Sequence, residues 1–199
     1  LFTLEGFEHI EAAEGQGVLL MGMHFTTLDI GGAFYNIHAS SDAMYRPHKN
    51  LVYDYLQRRG RERHNQKSEM IHRRDVRGLV RALKRGRVVW YAPDQDYGRQ
   101  QSVFVPFFGV PAATLTATAS IARLGKAKVI PFVPIRKADG SGYALTILPP
   151  LDDFPSGDEV ADTARVNRVI EEQVSRFPEQ YLWAHRRFKT RPEGEASVY

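Results

Sequence analysis

The sequence predicts an α/β fold with a mainly parallel central sheet flanked by helices. Three observations carry that prediction. Short apolar runs of strand length alternate with amphipathic segments of helical period along the chain. Those runs are near-continuously hydrophobic, as strands buried on both faces are. The 199 residues, 43% hydrophobic and 25% charged, suit one domain over 1–199 with a sizeable core.

In order, "GVLLMGM" (17–23) is a buried strand after a Gly turn, and "TLDIGGAFYNIHA" (27–39) a helix despite its glycines. "AMYRPHKN" (43–50) is strand-like up to its Pro stop, and "NLVYDYLQRRGR" (50–61) is an amphipathic helix. "RHNQKSEMIH" (63–72) is polar and loop-like with room for a short strand. In "RDVRGLVRALKRG" (74–86), Val76, Leu79, Val80 and Leu83 fall at helical spacing and Gly86 ends the helix. "RVVWYAP" (87–93) is a second buried strand. "DQDYGRQQSVFVPFFGVPAA" (94–113) reads as a long loop rich in aromatics, Gly and Pro. "TLTATASIARLG" (114–125) is a helix, and "KVIPFVPIRK" (128–137) a strand. The turn "ADGSG" joins that strand to its partner "YALTILPPL" (143–151). "DEVADTARVNRVIEEQVSRFP" (158–178) is a capped amphipathic helix before a basic, aromatic tail. Internal repeats and low-complexity linkers are absent from the sequence.

Cysteine is also absent, which excludes disulfide frameworks, thiol catalysis and cysteine-based zinc sites. The seven histidines form no HExxH and no close pair at ligand spacing. The net charge of +4 is mild, but its distribution is not. Residues 58–87 carry twelve Lys and Arg against Glu62, Glu69 and Asp75, a block suited to an anionic partner or to a solvated helix face. No window of some 18 apolar residues is long enough to span a bilayer. The opening residues lack the basic and apolar regions of a signal peptide and have no initiator Met, so the chain is read as a piece of a longer protein.

In open parallel sheets ligands bind at the carboxyl ends of strands. His24 follows the first buried strand, Arg46 ends the second, and Asp94 and Asp96 follow "RVVWYA". One rim thus receives a base candidate, a cation and carboxylates. His24 and Asp29 are five residues apart, a step of about 140° on a helix, so they share no helical face. They pair only if His24 lies in the strand–helix turn. Asp29 then fixes the imidazole tautomer, leaving the other nitrogen to take a proton from a hydroxyl. The competing reading is a structural His with Asp29 as an acid at a helix start. Arg46 is typed for bidentate phosphate binding or is an ordinary surface cation. The mixture "WAHRRFKTRPEG" (183–194) suits a membrane surface or a phosphate-rich ligand, and no RNP-type motif or zinc finger supports nucleic acid.

His24-x4-Asp29 resembles the HX4D/E motif of glycerolipid-type acyltransferases. With "YRP" (45–47), "VVWYAPDQDYG" (88–98), "SVFVPFFG" (102–109), "PFVPIRKADGSGY" (131–143) and "PEQYLWAHRRFKTRPEG" (178–194), the chain resembles the late acyltransferases of lipid A biosynthesis. The resemblance implies transfer of an acyl chain from acyl carrier protein to the hydroxyl of a 3-hydroxyacyl chain on a Kdo-lipid A precursor. It implies a glycerolipid-acyltransferase-like fold, no metal or redox cofactor, and a place on the cytoplasmic face of the inner membrane of Gram-negative bacteria. It implies a membrane helix ahead of the segment seen here. Carried over, His24 is the general base and Asp29 its orienting carboxylate. Arg46 contacts a phosphate of the acceptor or of the donor phosphopantetheine, and Asp94 positions substrate or Arg46. The basic block offers a surface for acidic acyl carrier protein or anionic headgroups. Two alternatives stand beside this: acylation of another glycolipid or a lysophospholipid, and a non-catalytic lipid-binding module.

Overall fold

A computed structural model describes every residue except 66, which falls within the segment expected to be polar and loop-like. Seven strands form one sheet in the order β1-β9-β8-β2-β5-β3-β4. They are β1 (Phe2–Glu5), β2 (Val18–Met21), β3 (Asp42–Tyr45), β4 (Met70–His72), β5 (Val88–Tyr91), β8 (Lys128–Arg136) and β9 (Tyr143–Ile147). The block from β8 to β4 is parallel throughout, β9 runs antiparallel to β8, and β1 pairs parallel to β9. The expected α/β class with a mainly parallel sheet is therefore observed.

The α-helices are α1 (Glu8–Glu11), α2 (Leu28–His38), α3 (Leu51–Glu62), α4 (Val76–Lys84), α5 (Ala117–Gly125) and α6 (Glu159–Arg176), followed in the tail by two single-turn 3-10 helices, Pro178–Gln180 and Trp183–His185, and a small hairpin stands apart from the sheet. Side chains alternate across a strand, so β2 feeds two cores. Leu19 and Met21 join Leu79 and Leu83 of α4, Ile121 of α5, and Val166, Ile170 and Val174 of α6. Val18 and Leu20 join Tyr35 of α2 with Ile130, Phe132, Leu145 and Ile147. All four β2 side chains are buried, which explains the unbroken apolar run.

Residues 94–113, expected to be loop, contain a hairpin: β6 (Ser102–Phe107) and β7 (Val110–Leu115). Phe108 and Gly109 make its two-residue turn, both with positive φ, as a type I′ connection requires. Pro106 faces Pro111 across this ribbon, a placement open to Pro because a two-stranded ribbon has only edge strands. The first residues of "TLTATASIARLG" belong to β7, and the helix begins at Ala117.

The tail is built into the fold. Arg187 is 1% exposed, and its guanidinium donates to the Ala113 carbonyl (2.8 Å) and the Thr114 hydroxyl (2.6 Å) and lies over the Phe107 ring. The Leu182 amide donates to the His24 carbonyl and the Thr26 amide to that of Gln180, so the tail also clamps the turn after β2.

Helix α2 packs so closely on β8 that its two glycines separate in role. A Cβ at Gly31 would lie 2.4 Å from Pro134 Cβ, whereas at Gly32 it meets nothing within 4 Å. Gly32→Ala is therefore expected to stabilise by up to about 1 kcal/mol through helix propensity. Gly31→Ala is expected to destabilise by roughly 1–3 kcal/mol through overpacking. Urea unfolding of both variants checks this, and equal effects would contradict the packing of α2.

Candidate active site

Strands β2 and β5 are adjacent and parallel, with Met21 in register with Tyr91. The Gly22 amide extends the ladder by donating to the Tyr91 carbonyl at 2.9 Å. Equal steps beyond that register reach His24 and Asp94, which therefore meet. His24 Nδ1 lies 2.6 Å from Asp94 Oδ1, and the His24 backbone amide donates to Oδ2 at 2.7 Å. His24 lies in the turn ahead of α2, as a base built from this segment requires.

The expected His24–Asp29 contact is not what the structure forms. Asp29 sits in the first turn of α2 with its side chain 67% exposed. Its Oδ1 accepts from Arg61 Nε (2.9 Å) and Nη2 (2.8 Å) of α3. Asp94, expected to position substrate or Arg46, is 1% exposed and is spent on His24. The reason is register: five residues along the chain turn Asp29 outward, while pairing across the sheet brings Asp94 inward.

Burial alone would raise the Asp94 carboxyl. The charge of His24 and the two hydrogen bonds from that residue outweigh burial and hold the group below the usual carboxylate range. An ionised Asp94 accepts, so Nδ1 carries a proton, and in the neutral form of the ring Nε2 is the nitrogen left with its lone pair, facing the cleft. There the Gln95 amide nitrogen stands 3.2 Å from His24 Nε2 and 3.2 Å from His185 Nδ1, while the Tyr97 hydroxyl donates to Gln95 Oε1 at 3.0 Å. The amide therefore caps two imidazoles at once. The two rings lie edge to face with centroids 4.7 Å apart. Burial, then the neighbouring His24, lowers the His185 pKa below its ordinary value. A neutral ring suits acceptance from Gln95.

This centre opens into a cleft of about 650 Å³. Arg46, Arg61, Arg73 and Lys189 line it together with Tyr45, Trp90, Gln95, Asp96 and Tyr97. Asp96, the one acid among the lining residues, already accepts from the Gly98 and Thr190 amides. Burial raises the Tyr97 phenol, with Arg73 and Arg46 pulling the other way. Arg46 thus reaches the rim at the end of β3. Arg73, read in the sequence as part of an outer basic surface, reaches the same rim because β4 runs parallel to β3. Trp90 lines the cleft beside Gly22, where a Cβ would meet the indole at 2.3 Å. Leu28, Arg61 and Trp90 also line a narrow cavity of about 50 Å³ walled by Leu20, Ala33 and Phe132.

Gln95, His185, Lys189, Arg61 and Arg73 were not singled out as site residues in the sequence. Two carried a usable signal: Gln95 adjoins Asp94 at a strand end, and Arg73 follows the short strand at 70–72. The others come from α3 and the tail, and nothing local marks them.

The profile of the bacterial lipid A biosynthesis acyltransferase family matches residues 1–190. The chain belongs to that family. It is 48% identical over 197 residues to the lipid A biosynthesis lauroyltransferase of Escherichia coli (strain K12), covering 98% of this chain and 64% of that protein. It is 46% identical over 201 residues to the palmitoleoyltransferase of the same strain, covering 100% of this chain and 65% of that protein. To the myristoyltransferase it is 35% identical over 161 residues, covering 79% and 48%. The chain therefore spans just under two thirds of the lauroyl- and palmitoleoyltransferase lengths. No helix among the described residues is long and apolar enough to cross a membrane.

The lowered pKa of His185 fixes the sign of one pH effect. The unfolded chain binds a proton at residue 185 more tightly than the folded chain, so stability falls as pH drops below about 6.5. Asp94 acts lower, its contribution present above about 3.9 and lost as pH falls through its depressed folded value. Melting temperatures of wild type are expected to fall from pH 7 to pH 5, and His185→Asn to flatten that decline. An unchanged slope in the variant would contradict the burial of His185.

Proposed function

We propose that this chain carries the acyl-transfer centre of a lipid A acyltransferase. It moves an acyl chain from acyl carrier protein to the hydroxyl of a 3-hydroxyacyl chain on a Kdo-lipid A precursor, at the cytoplasmic face of the inner membrane. The observation that carries the reading is the His24–Asp94 pair opening into a cleft ringed by Arg46, Arg61, Arg73 and Lys189. A base beside phosphate-binding cations suits a phosphorylated lipid alcohol as acceptor.

In this mechanism the acceptor hydroxyl displaces the Gln95 amide from His24 Nε2. His24 takes the proton as the oxygen attacks the thioester carbonyl. Ionised Asp94 stabilises the imidazolium that forms. The tetrahedral oxyanion collapses, the carbon–sulfur bond breaks, and His24 returns the proton to the departing thiolate. Gln95, swung aside but still tethered to Tyr97 and His185, supplies an N–H donor for the oxyanion. Arg46 and Arg73 hold an acceptor phosphate or the donor phosphopantetheine. Asp29 acts through Arg61, keeping that guanidinium aimed into the cleft, in place of orienting the base. The narrow cavity beside Trp90 and Leu28 is mostly apolar, with Asp29, Asn36, Ser41 and Arg61 also on its wall, which suits the mouth of an acyl-chain site.

Mass spectrometry of the lipid product, from purified protein, acyl-carrier-protein thioester and Kdo-lipid A, tests the reading. Wild type should add one acyl mass. His24→Ala and Asp94→Asn should lose about 10²–10⁴ in kcat. Undiminished transfer by folded His24→Ala would remove it as base. Arg46→Ala and Arg73→Ala should raise KM by roughly 10–100-fold, as loss of one charged hydrogen bond does. Asp29→Asn should raise KM for the acceptor more than it lowers kcat. The reverse split would restore Asp29 to the base.

A further inference from the structure

Helix α3 is turned inside out. It has 12 residues and none is buried. Its partly buried positions include Asp54, Gln57 and Arg61, a polar stripe at helical spacing, and Gln57 and Arg61 line the cleft. The apolar residues face water instead: Leu51 is 82% exposed, Val52 69%, and Tyr55 and Leu56 each 59%. Arg58, Arg59 and Arg63 are exposed beside them. An amphipathic helix normally buries its apolar side, and a contiguous exposed apolar patch rimmed by charge marks an interaction surface.

We propose that α3 is a bilayer-docking helix, with Leu51, Val52, Tyr55 and Leu56 entering the headgroup–acyl boundary of an anionic membrane while Arg58, Arg59 and Arg63 hold lipid phosphates. Charge complementarity argues for this occupant. The helix opens the basic block at 58–87, and anionic leaflets attract such segments. Aliphatic and Tyr side chains interleaved with Arg are the composition of interfacial helices. Continuity with the cleft argues further, and this step rests on the acyltransferase reading. One face of α3 walls the cleft and the other docks, so binding the membrane brings the cleft mouth to where a lipid acceptor lies. An acidic protein would account for the arginines but leaves the neighbouring aliphatic side chains without a role.

The test is flotation of the chain with vesicles of phosphatidylglycerol and phosphatidylethanolamine, against phosphatidylcholine alone. Wild type should float with the anionic vesicles. The triple variant Leu51→Ser, Val52→Ser, Leu56→Ser should lose at least about tenfold in partition, with unchanged circular dichroism and melting because these side chains are exposed. Arg58→Glu with Arg59→Glu should lose binding and its salt dependence. Wild-type partition by the folded serine variant, or no flotation of wild type, overturns the proposal. So does a serine variant that keeps vesicle binding but loses saturable binding to acyl carrier protein, which would make α3 a protein-docking helix. Acyl transfer in detergent, run in parallel, separates the two readings. Transfer without vesicle binding overturns the docking role alone, and α3-dependent binding without transfer overturns the acyltransferase reading alone.

Discussion

The contact between His24 and Asp94 is the constraint around which the described site is organised. A carboxylate at 1% exposure is costly to desolvate unless its oxygens are occupied by strong donors. Here one residue supplies two, through its ring and its backbone amide. The pair is consequently rigid: the amide fixes where residue 24 sits and the ring bond fixes how the imidazole is turned. Both depend on β2 and β5 being parallel neighbours in a particular register. A slip of one residue would turn the whole apolar set of β2 to the wrong cores and separate the pair.

The tail holds the other side of this arrangement. The Leu182 amide bonds the His24 carbonyl, and Phe25 and Tyr181 form a bridge with their rings edge to face. From there the tail carries His185 to Gln95 and Lys189 to the cleft, anchored between them by Arg187. Arg187 is a cation held by a carbonyl, a hydroxyl and the face of Phe107. Those contacts fix the tail to the hairpin, and burial lowers the pKa of the guanidinium. The hairpin thus anchors the strand of chain that completes the site.

Charge is divided by depth. Asp94, the carboxylate bonded to His24, lies beneath it and does not line the cleft, while the cations stand around the mouth and Asp96, which does line it, is already occupied by two amides. The cleft therefore presents Arg46, Arg61, Arg73 and Lys189 without presenting Asp94. Gln95, neutral and doubly anchored, occupies the boundary between the two zones. Helix α3 extends the same division outward, its polar stripe on the cleft and its apolar side in solvent.

The sequence by itself determined the order of the elements from β2 onward apart from the hairpin, because apolar runs and helical periods report local burial and backbone preference; β1 and α1, four residues each, are too short to show either. It determined the parallel sheet, and with it the rim where His24, Arg46 and the acids after β5 emerge. The hairpin at 102–115 escaped because its prolines and aromatics read as loop, though a two-stranded ribbon, which has only edge strands, admits both. What only the tertiary structure decided was which carboxylate serves His24. Spacing along the chain pointed to Asp29, but a carboxylate on a helix's first turn faces wherever the helix packing turns it. Here that is toward Arg61. Asp94 is seventy residues away in sequence and adjacent in space, since strand order and register are set by long-range packing that no local pattern records.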